Sequence, residues 1–517
     1  MIAAPILQML AVKPALLGGI RRGIEKESLR VDATGHLALT GHPAALGSAL
    51  THSNITTDFS EAQLELITDV HATPDAVIEQ LDEVHRYVYQ SLGEELLWTS
   101  SMPCDLPPDD KIPVGRYGSS NVGTAKTIYR IGLGNRYGRR MQTISGIHYN
   151  FSVDEAFWSA YAATVGARPT QDFRTQGYFG LIRNFRRLSW LLIYLFGASP
   201  ALCRSFAAGR PHPLADLGDA SLYLPHATSL RMGRLGYQSD AQRSLHVSYN
   251  SLDQYARSMQ QALTQSYPAY ERLGVKVDGA YQQLSTTLLQ IENEFYGTIR
   301  PKQPVSRNER PLTALRRRGV EYVEVRCLDL NPFLPVGIDA VEIRFIDTFL
   351  LYCLLADSPA DSERESALMN ANQLAVVEHG RAAELTLERP NGPITRDRWA
   401  RDILSACRPI AELLDQAHGG QHYVDAWDAQ QKKVDDSTLT PSARVLDLMR
   451  TQSLAFARFA LNQSIAQKGY FDERRLPAAR HAHYAAEAET SRQAQAALER
   501  ADQVDFDAYL ADWLRLG

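Results

Sequence analysis

The sequence predicts an α+β fold, with a sheet-bearing part up to about residue 350 and a mostly helical part after it. Three observations carry this reading. Several short segments before residue 350 alternate polar and apolar residues with period two, as half-buried strands do. The pattern beyond residue 350 is mostly helical, and residues 478–516, rich in Ala, Glu, Gln and Arg, read as one or two surface helices with a solvated charged face. No internal repeat or low-complexity linker breaks the chain. At 517 residues its length allows two to four domains of ordinary size, or one large catalytic unit.

The strand candidates follow in chain order. In residues 23–31, Glu25 and Glu27 point to the same side. In 146–153, His148, Asn150 and Ser152 share a face, opposite Ile147, Tyr149, Phe151 and Val153. In 288–296, Glu292, Glu294 and Tyr296 oppose Leu289, Ile291 and Phe295. In 322–328, Glu324 and Arg326 oppose Val323, Val325 and Cys327. Two readings stay open. The strands are antiparallel with a wet side, or their polar face lines a cation and phosphate cavity. Lys, Thr and Ser suit a wet face better than Glu, Asp, His and Arg, so all four segments together favour the cavity.

Composition narrows the class. The chain is 44% hydrophobic, enough for a large core, and 22% charged, ordinary for a soluble protein. Its net charge of −5 and the lack of a long basic run disfavour nucleic-acid binding as the main activity, which needs clustered positive charge. Five widely spaced cysteines without a CxxC indicate neither a zinc site nor a disulfide scaffold, and a reducing compartment fits them best. The apolar N-terminus lacks a basic n-region and is interrupted by Pro5, Lys13 and Pro14, unlike a signal peptide. The apolar run at 188–202 holds Gly197 and Pro200 and is too short for a span, so a buried helix is expected. A soluble, cytoplasmic protein without a membrane partner is the expectation.

On a strand, the carboxylates of Glu25 and Glu27 would stand about 6–7 Å apart on one side. Such a pair repels itself unless a cation sits beside it. Hard divalent cations take oxygen ligands, and Mg²⁺ binds a few carboxylates together with substrate phosphates and water. Asp58 and Glu65 add to the set. Glu65 lies between Leu64 and Leu66 and needs a partner if buried. His148 is as readily a structural residue as a ligand; one imidazole among carboxylates suits Mg²⁺ or Mn²⁺ rather than structural zinc. Arg326 shares a face with Glu324, Arg300 lies near Lys302, and Arg130 and Arg231 are further guanidinium candidates for carboxylate or phosphate. No Walker A motif is present, and no GxGxxG follows a strand. Phosphates would therefore be held by metals and arginines rather than by a glycine-rich loop.

At these residues the chain resembles a known family. The segments RGIEKESLRV (22–31), GHPAALGSALTH (41–52), ITTDFSEAQLELIT (55–68), SGIHYNFS (145–152), YLFGASPALC (194–203), QIENEFYGTIRPK (290–302) and EYVEVRCLDLNPF (321–333) are similar to those of bacterial glutamate–cysteine ligases. The resemblance is strong over 17–350 and weaker beyond. It implies one catalytic unit over 1–517, with a sheet-bearing active-site core at 17–350 and a mostly helical region at 351–517. The implied fold is related to glutamine synthetase, a curved, mainly antiparallel sheet lining a funnel, with helices outside. The implied reaction joins the γ-carboxylate of L-glutamate to the amine of L-cysteine through γ-glutamyl phosphate, consuming ATP, as the first step of glutathione synthesis. A related ligase using another amine is the alternative.

Carried over residue by residue, the resemblance makes Glu25, Glu27, Asp58, Glu65, His148 and Glu324 ligands for more than one Mg²⁺ (or Mn²⁺). It gives Arg326, Glu324 and Glu27 the central catalytic roles, and puts Arg130, Arg300 and Arg326 on ATP phosphate. Asn150 and Arg231 would bind amino-acid groups, and Phe59, Tyr129, Leu133, Tyr237 and Tyr296 would form the cysteine pocket. The resemblance also implies a monomer inhibited by glutathione, with no nucleic-acid partner.

Overall fold

The computed structural model describes residues 2–103, 105–236, 241–242, 245–306 and 309–515. Its centre is a seven-stranded sheet among the described residues. The strands are β1 (Ile20–Val31), β2 (Ile55–Thr57), β3 (Gln63–Ile67), β4 (Leu96–Leu97), β5 (Ile147–Val153), β6 (Ile299–Lys302) and β7 (Tyr322–Leu328). Their order is β6-β7-β5-β1-β3-β2, with β4 beside the end of β1. Every pairing is antiparallel.

The register decides which side chains meet. Glu25 lies opposite His148 and Glu27 opposite Glu65. Glu324 lies opposite both Asn150 and Arg300. Because side chains alternate, these polar residues gather on one face of the sheet. The other face carries Ile24, Leu64, Leu66, Tyr149, Phe151, Val323 and Val325, all buried in one core.

Helices lie on both sides of the sheet. They include α1 (Pro74–Ser91), α2 (Asn121–Tyr137), α3 (Gln171–Leu188), α4 (Trp190–Phe196), α5 (Ala340–Leu355), α6 (Arg396–His418), α7 (His422–Asp435), α8 (Ala478–Ala501) and α9 (Phe506–Trp513). α1 starts where the Thr73 hydroxyl accepts from Ala76 N–H, and buries Val77, Leu81, Val84 and Val88 against β1 and β3. Asp339 caps α5, which is buried on nearly all sides because it lies among α3, α6 and α7. One polar tie joins α5 to the sheet. Arg22 Nη2 lies 2.7 Å from Asp347 Oδ2, both fully buried, and Tyr149 Oη–H donates to Asp347 Oδ1 at 2.6 Å.

Three expectations need correction or completion. Residues 288–296 form no strand: Leu288 and Leu289 N–H donate to Gln265 and Ala262 carbonyls, and a 3₁₀ turn follows at Glu292–Glu294. Side chains take the roles of ladder partners there. Glu294 accepts from Gln290 N–H, Arg136 and Tyr137, and Glu292 accepts from Arg310. Polar alternation cannot distinguish that network from a strand. Cys203 is disulfide-bonded, whereas Cys327, Cys353 and Cys407 are buried free thiols. The apolar run at 188–202 contains α4, whose residues are all buried, and among the described residues no helix is long and apolar enough to cross a membrane.

Candidate active site

A cavity of about 470 Å³ opens on the polar face of the sheet. β1 contributes Glu25 and Glu27, β3 Glu65, β5 His148, and β7 Glu324 and Arg326. Arg300 and Lys302 come from β6, and Asp58 and Phe59 from the turn between β2 and β3. α2 forms the facing wall with Val122, Ala125, Lys126, Tyr129, Arg130 and Leu133, a stripe at helical spacing.

Local sequence explains how these walls come so close. Ser120 caps α2 by accepting from Gly123 N–H. A Cβ at Gly132 would sit 2.2 Å from Gln290 Oε1, the oxygen that accepts from Leu284 N–H, so glycine lets α2 approach that loop. A Cβ at Gly146 would sit 2.0 Å from Arg231 Nη2. Gly146 N–H also donates to Glu27 Oε2 at 2.8 Å, fixing that carboxylate.

His148 sits between two carboxylates, with Nδ1 3.2 Å from Glu25 Oε2 and Nε2 3.5 Å from Glu27 Oε1. Asn150 Nδ2–H donates to the other Glu25 oxygen at 2.9 Å. Glu25, Glu65 and His148 each offer a ligand atom, all within 4.8 Å of one another. Burial, reinforced by Arg326, holds His148 below its ordinary pKa and so favours the neutral, ligating imidazole.

The carboxylates divide electrostatically. Burial, then the neighbouring Asp58 carboxylate, pushes Glu27 up to about 8. Burial and the charges of Glu25, Asp58 and Glu27 raise Glu65 well above its usual range. Burial also acts against ionised Glu25, but its hydrogen bond with His148 and the charge of Lys302 bring it out lower. Burial opposes ionised Glu324 too, yet Lys302, Arg326, His148 and Arg300 hold it well below the usual range. Lys302 Nζ donates to Glu324 Oε1 at 3.1 Å, and Arg326 Nη1 to Glu324 Oε2 at 3.0 Å. The cavity thus has an acidic centre that wants a proton or cation, beside a cationic group suited to phosphate.

All six sequence-derived ligand candidates line this cavity, as do Arg130, Arg300, Arg326, Phe59, Tyr129, Leu133 and Tyr296. Arg130 donates to the Asp58 and Thr57 carbonyls and so ties α2 to the Asp58 turn. Tyr296 Oη accepts from Gln142 Nε2 at 2.9 Å. Arg231 is placed differently: it is buried behind the wall, donating to the Arg326 carbonyl at 3.0 Å. Asn150 reaches the site through Glu25. Tyr237 lies outside the described residues.

The family model described as glutamate-cysteine ligase matches residues 7–376. The chain belongs to the glutamate–cysteine ligase family. It is 52% identical over 505 residues to a glutamate–cysteine ligase of Alcanivorax borkumensis, covering 96% of each chain. It is 50% identical over 505 residues to one of Pseudomonas putida strain W619, covering 98% of this chain and 96% of that one. Among solved structures, the crystal structure of glutamate–cysteine ligase from Francisella tularensis in complex with AMP is similar at a TM-score of 0.91 and 37% identity, over 96% of this chain and 97% of that one.

Further residues line this ligase's cavity. Lys302, in sequence only a neighbour of Arg300, pairs with Glu324. Lys126 lies one helical turn before Arg130, and that spacing was a usable signal. Tyr509 and Trp513 of α9 line the cavity as well, although residues 478–516 read as surface helices. α8 departs from that reading too, because Tyr484, Ala488 and Ser491 are buried and Ser491 Oγ accepts from Ser48 N–H.

Proposed function

We propose that this cavity joins the γ-carboxylate of L-glutamate to the amino group of L-cysteine at the expense of ATP, the first step of glutathione synthesis. The observation that carries this reading is the Glu25–Glu65–His148 cluster, set beside the cationic group around Glu324 in a single cavity. The cluster's donors are carboxylate oxygens and one imidazole, with no thiolate. That set fits a hard divalent cation such as Mg²⁺ or Mn²⁺. Glu25, Glu27, Asp58, Glu65, His148 and Glu324 would hold more than one such ion. Bound there, the ions neutralise phosphate charge during transfer.

The chain's own groups do the rest. Arg326, Lys302, Arg300 and Arg130 meet phosphate charge, and Arg326 is the closest of the three arginines to Glu324. Asn150 holds Glu25 in place, and Arg231, behind Gly146, contributes positive charge near the amino-acid end. A γ-carboxylate oxygen of glutamate attacks the γ-phosphorus and ADP leaves. The cysteine amine then attacks the acyl carbon, and phosphate departs with the original carboxylate oxygen. Phe59, Tyr129, Leu133 and Tyr296 offer a small apolar slot with phenolic hydroxyls, which suits a CH₂–SH group better than larger amines. Cytoplasmic location, a monomeric state and glutathione inhibition follow from the family resemblance and belong to the same proposal.

The reading is tested by coupled ADP release with purified protein, Mg²⁺–ATP and glutamate, adding cysteine, ammonia or other amines one at a time. ADP release should depend on cysteine. Equal rates with ammonia would move the chain to the alternative, a ligase of another amine.

A further inference from the structure

The stripe of α2 that faces the cavity runs from Val122 to Leu133, so its two ends lie about 16 Å apart at 1.5 Å per residue. Each end meets a different apolar surface. At the far end, Leu133 packs with Phe59, Met141 and Ile144, all buried. At the near end, Ala125 and Ile128 pack with Leu284 and with Leu510 of α9, while Tyr509 and Trp513 lie against this cluster, only partly buried. Between the two ends stands Arg130, on the stretch of helix that faces the acidic and cationic groups of the sheet. A ligand with a charged middle and apolar ends matches this layout. The pole at Leu133 is lined by buried side chains. The pole at α9 offers two partly buried aromatic rings, Tyr509 and Trp513.

α9 is firmly anchored there. Asp505 caps it by accepting from Ala508 N–H at 2.8 Å. Asp507 accepts from Lys276 and from Tyr281 Oη–H. Asn121, the first residue of α2, donates through Nδ2 to the Val504 carbonyl at 3.0 Å. The Arg310 guanidinium lies 5.2 Å from the Trp513 ring centre and is itself paired with Glu292 at 2.9 Å.

We infer that α9 completes the nucleotide site, with Trp513 and Tyr509 forming the aromatic surface on which the planar base of ATP stacks. This rests on the ligase reading above for the position of the phosphates. Val122, Ala125, Ile291 and Val305 complete the apolar surround, and Lys126 sits at its edge. Aromatic faces bind bases through stacking, which tolerates any base. The surface should therefore favour ATP without strongly excluding other nucleoside triphosphates.

The test uses the full-length chain with Trp513→Ala, Trp513→Phe and Tyr509→Ala. Two quantities are measured: the calorimetric Kd of Mg²⁺–ADP, and the KM values for ATP, glutamate and cysteine. Trp513→Ala should raise the ADP Kd and the ATP KM about tenfold, the loss expected for one stacked base. The KM values for the amino acids should move less than twofold, and Trp513→Phe should recover most of the loss. An unchanged ADP Kd in both alanine variants, or a rise confined to the cysteine KM, overturns the inference. ADP binding is read without turnover, so a wild-type chain that binds ADP but forms no γ-glutamylcysteine would fail the ligase reading alone. A wild-type chain that binds no ADP would fail both.

Discussion

His148 and Glu25 are direct cross-strand partners on β5 and β1, with Nδ1 3.2 Å from Oε2. With Nδ1–H donated to Glu25, the other ring nitrogen presents its lone pair toward Glu27 Oε1, 3.5 Å away. Two lone pairs face each other unless a proton or a cation lies between them. Glu27, pushed up to about 8 by burial and by Asp58, holds such a proton in the cation-free protein.

Cation binding and pH are therefore linked. Glu27 has a folded pKa of about 8 against an ordinary 4.5. Its contribution to stability is fully present below 4.5 and is lost as pH rises through about 8. Glu65 is shifted in the same direction. A divalent cation replaces these protons, so it should stabilise more at high pH. Thermal melts in EDTA and in excess Mg²⁺ should show a larger Mg²⁺-dependent rise in Tm at pH 8.5 than at pH 5.5. An equal rise at both values would remove Glu27 and Glu65 from the cation site.

Glu27→Gln and Glu324→Gln keep side-chain size and remove charge. Each should lower kcat by at least about 100-fold, the scale of losing one electrostatic group at a transferring phosphoryl. Circular dichroism and Tm should stay close to wild type. Near wild-type kcat in either variant would exclude that carboxylate from phosphoryl transfer.

Leu133 lines one pole of the cavity and is buried beside Phe59. Leu133→Ala should raise the cysteine KM about tenfold and admit bulkier amines, as expected when an apolar slot loses its fit. Competition between cysteine and larger amino acids, scored by product mass, checks this. Unchanged selectivity would place the cysteine side chain elsewhere.

The Arg22–Asp347 pair serves the fold rather than the chemistry. Both side chains are fully buried at 2.7 Å, on the face of the sheet away from the cavity. Asp347→Asn leaves Arg22 without its countercharge and should cost about 3–5 kcal/mol of stability. Denaturant melts read the loss, and kcat at low temperature should remain near wild type. A loss under 1 kcal/mol would mean that water or relaxation compensates Arg22.

Much of the sheet was legible in the sequence, because β5 and β7 alternate apolar residues with polar ones; in β1 only the Glu25 and Glu27 pair signals it, since its opposite face carries Arg22, Lys26 and Ser28 beside Ile20 and Ile24. Register was not legible: that Glu25 meets His148 and Glu27 meets Glu65 depends on long-range pairing. Residues 288–296 alternate without forming a strand. Their alternation is genuine, but Arg136, Tyr137 and Arg310 satisfy their carboxylates from outside any ladder. Residues 478–516 read as surface helices from their Ala, Glu, Gln and Arg content, although Phe506, Tyr509, Leu510 and Trp513 recur at i, i+3, i+4 and i+7 and mark an apolar face on α9. The packing of Leu510 on Ala125 and Ile128 makes that face part of the cavity wall. Arg231 looked like any arginine after a short apolar run, and nothing local signalled its burial beside Gly146.

Oxygen transfer tests the central claim most directly. Glutamate labelled with ¹⁸O in its γ-carboxylate is turned over with Mg²⁺–ATP and cysteine, and the products are weighed by mass spectrometry. Activation through γ-glutamyl phosphate sends one ¹⁸O per turnover into inorganic phosphate, matched by one ADP and one γ-glutamylcysteine. Unlabelled phosphate, or label recovered in AMP, would contradict the account.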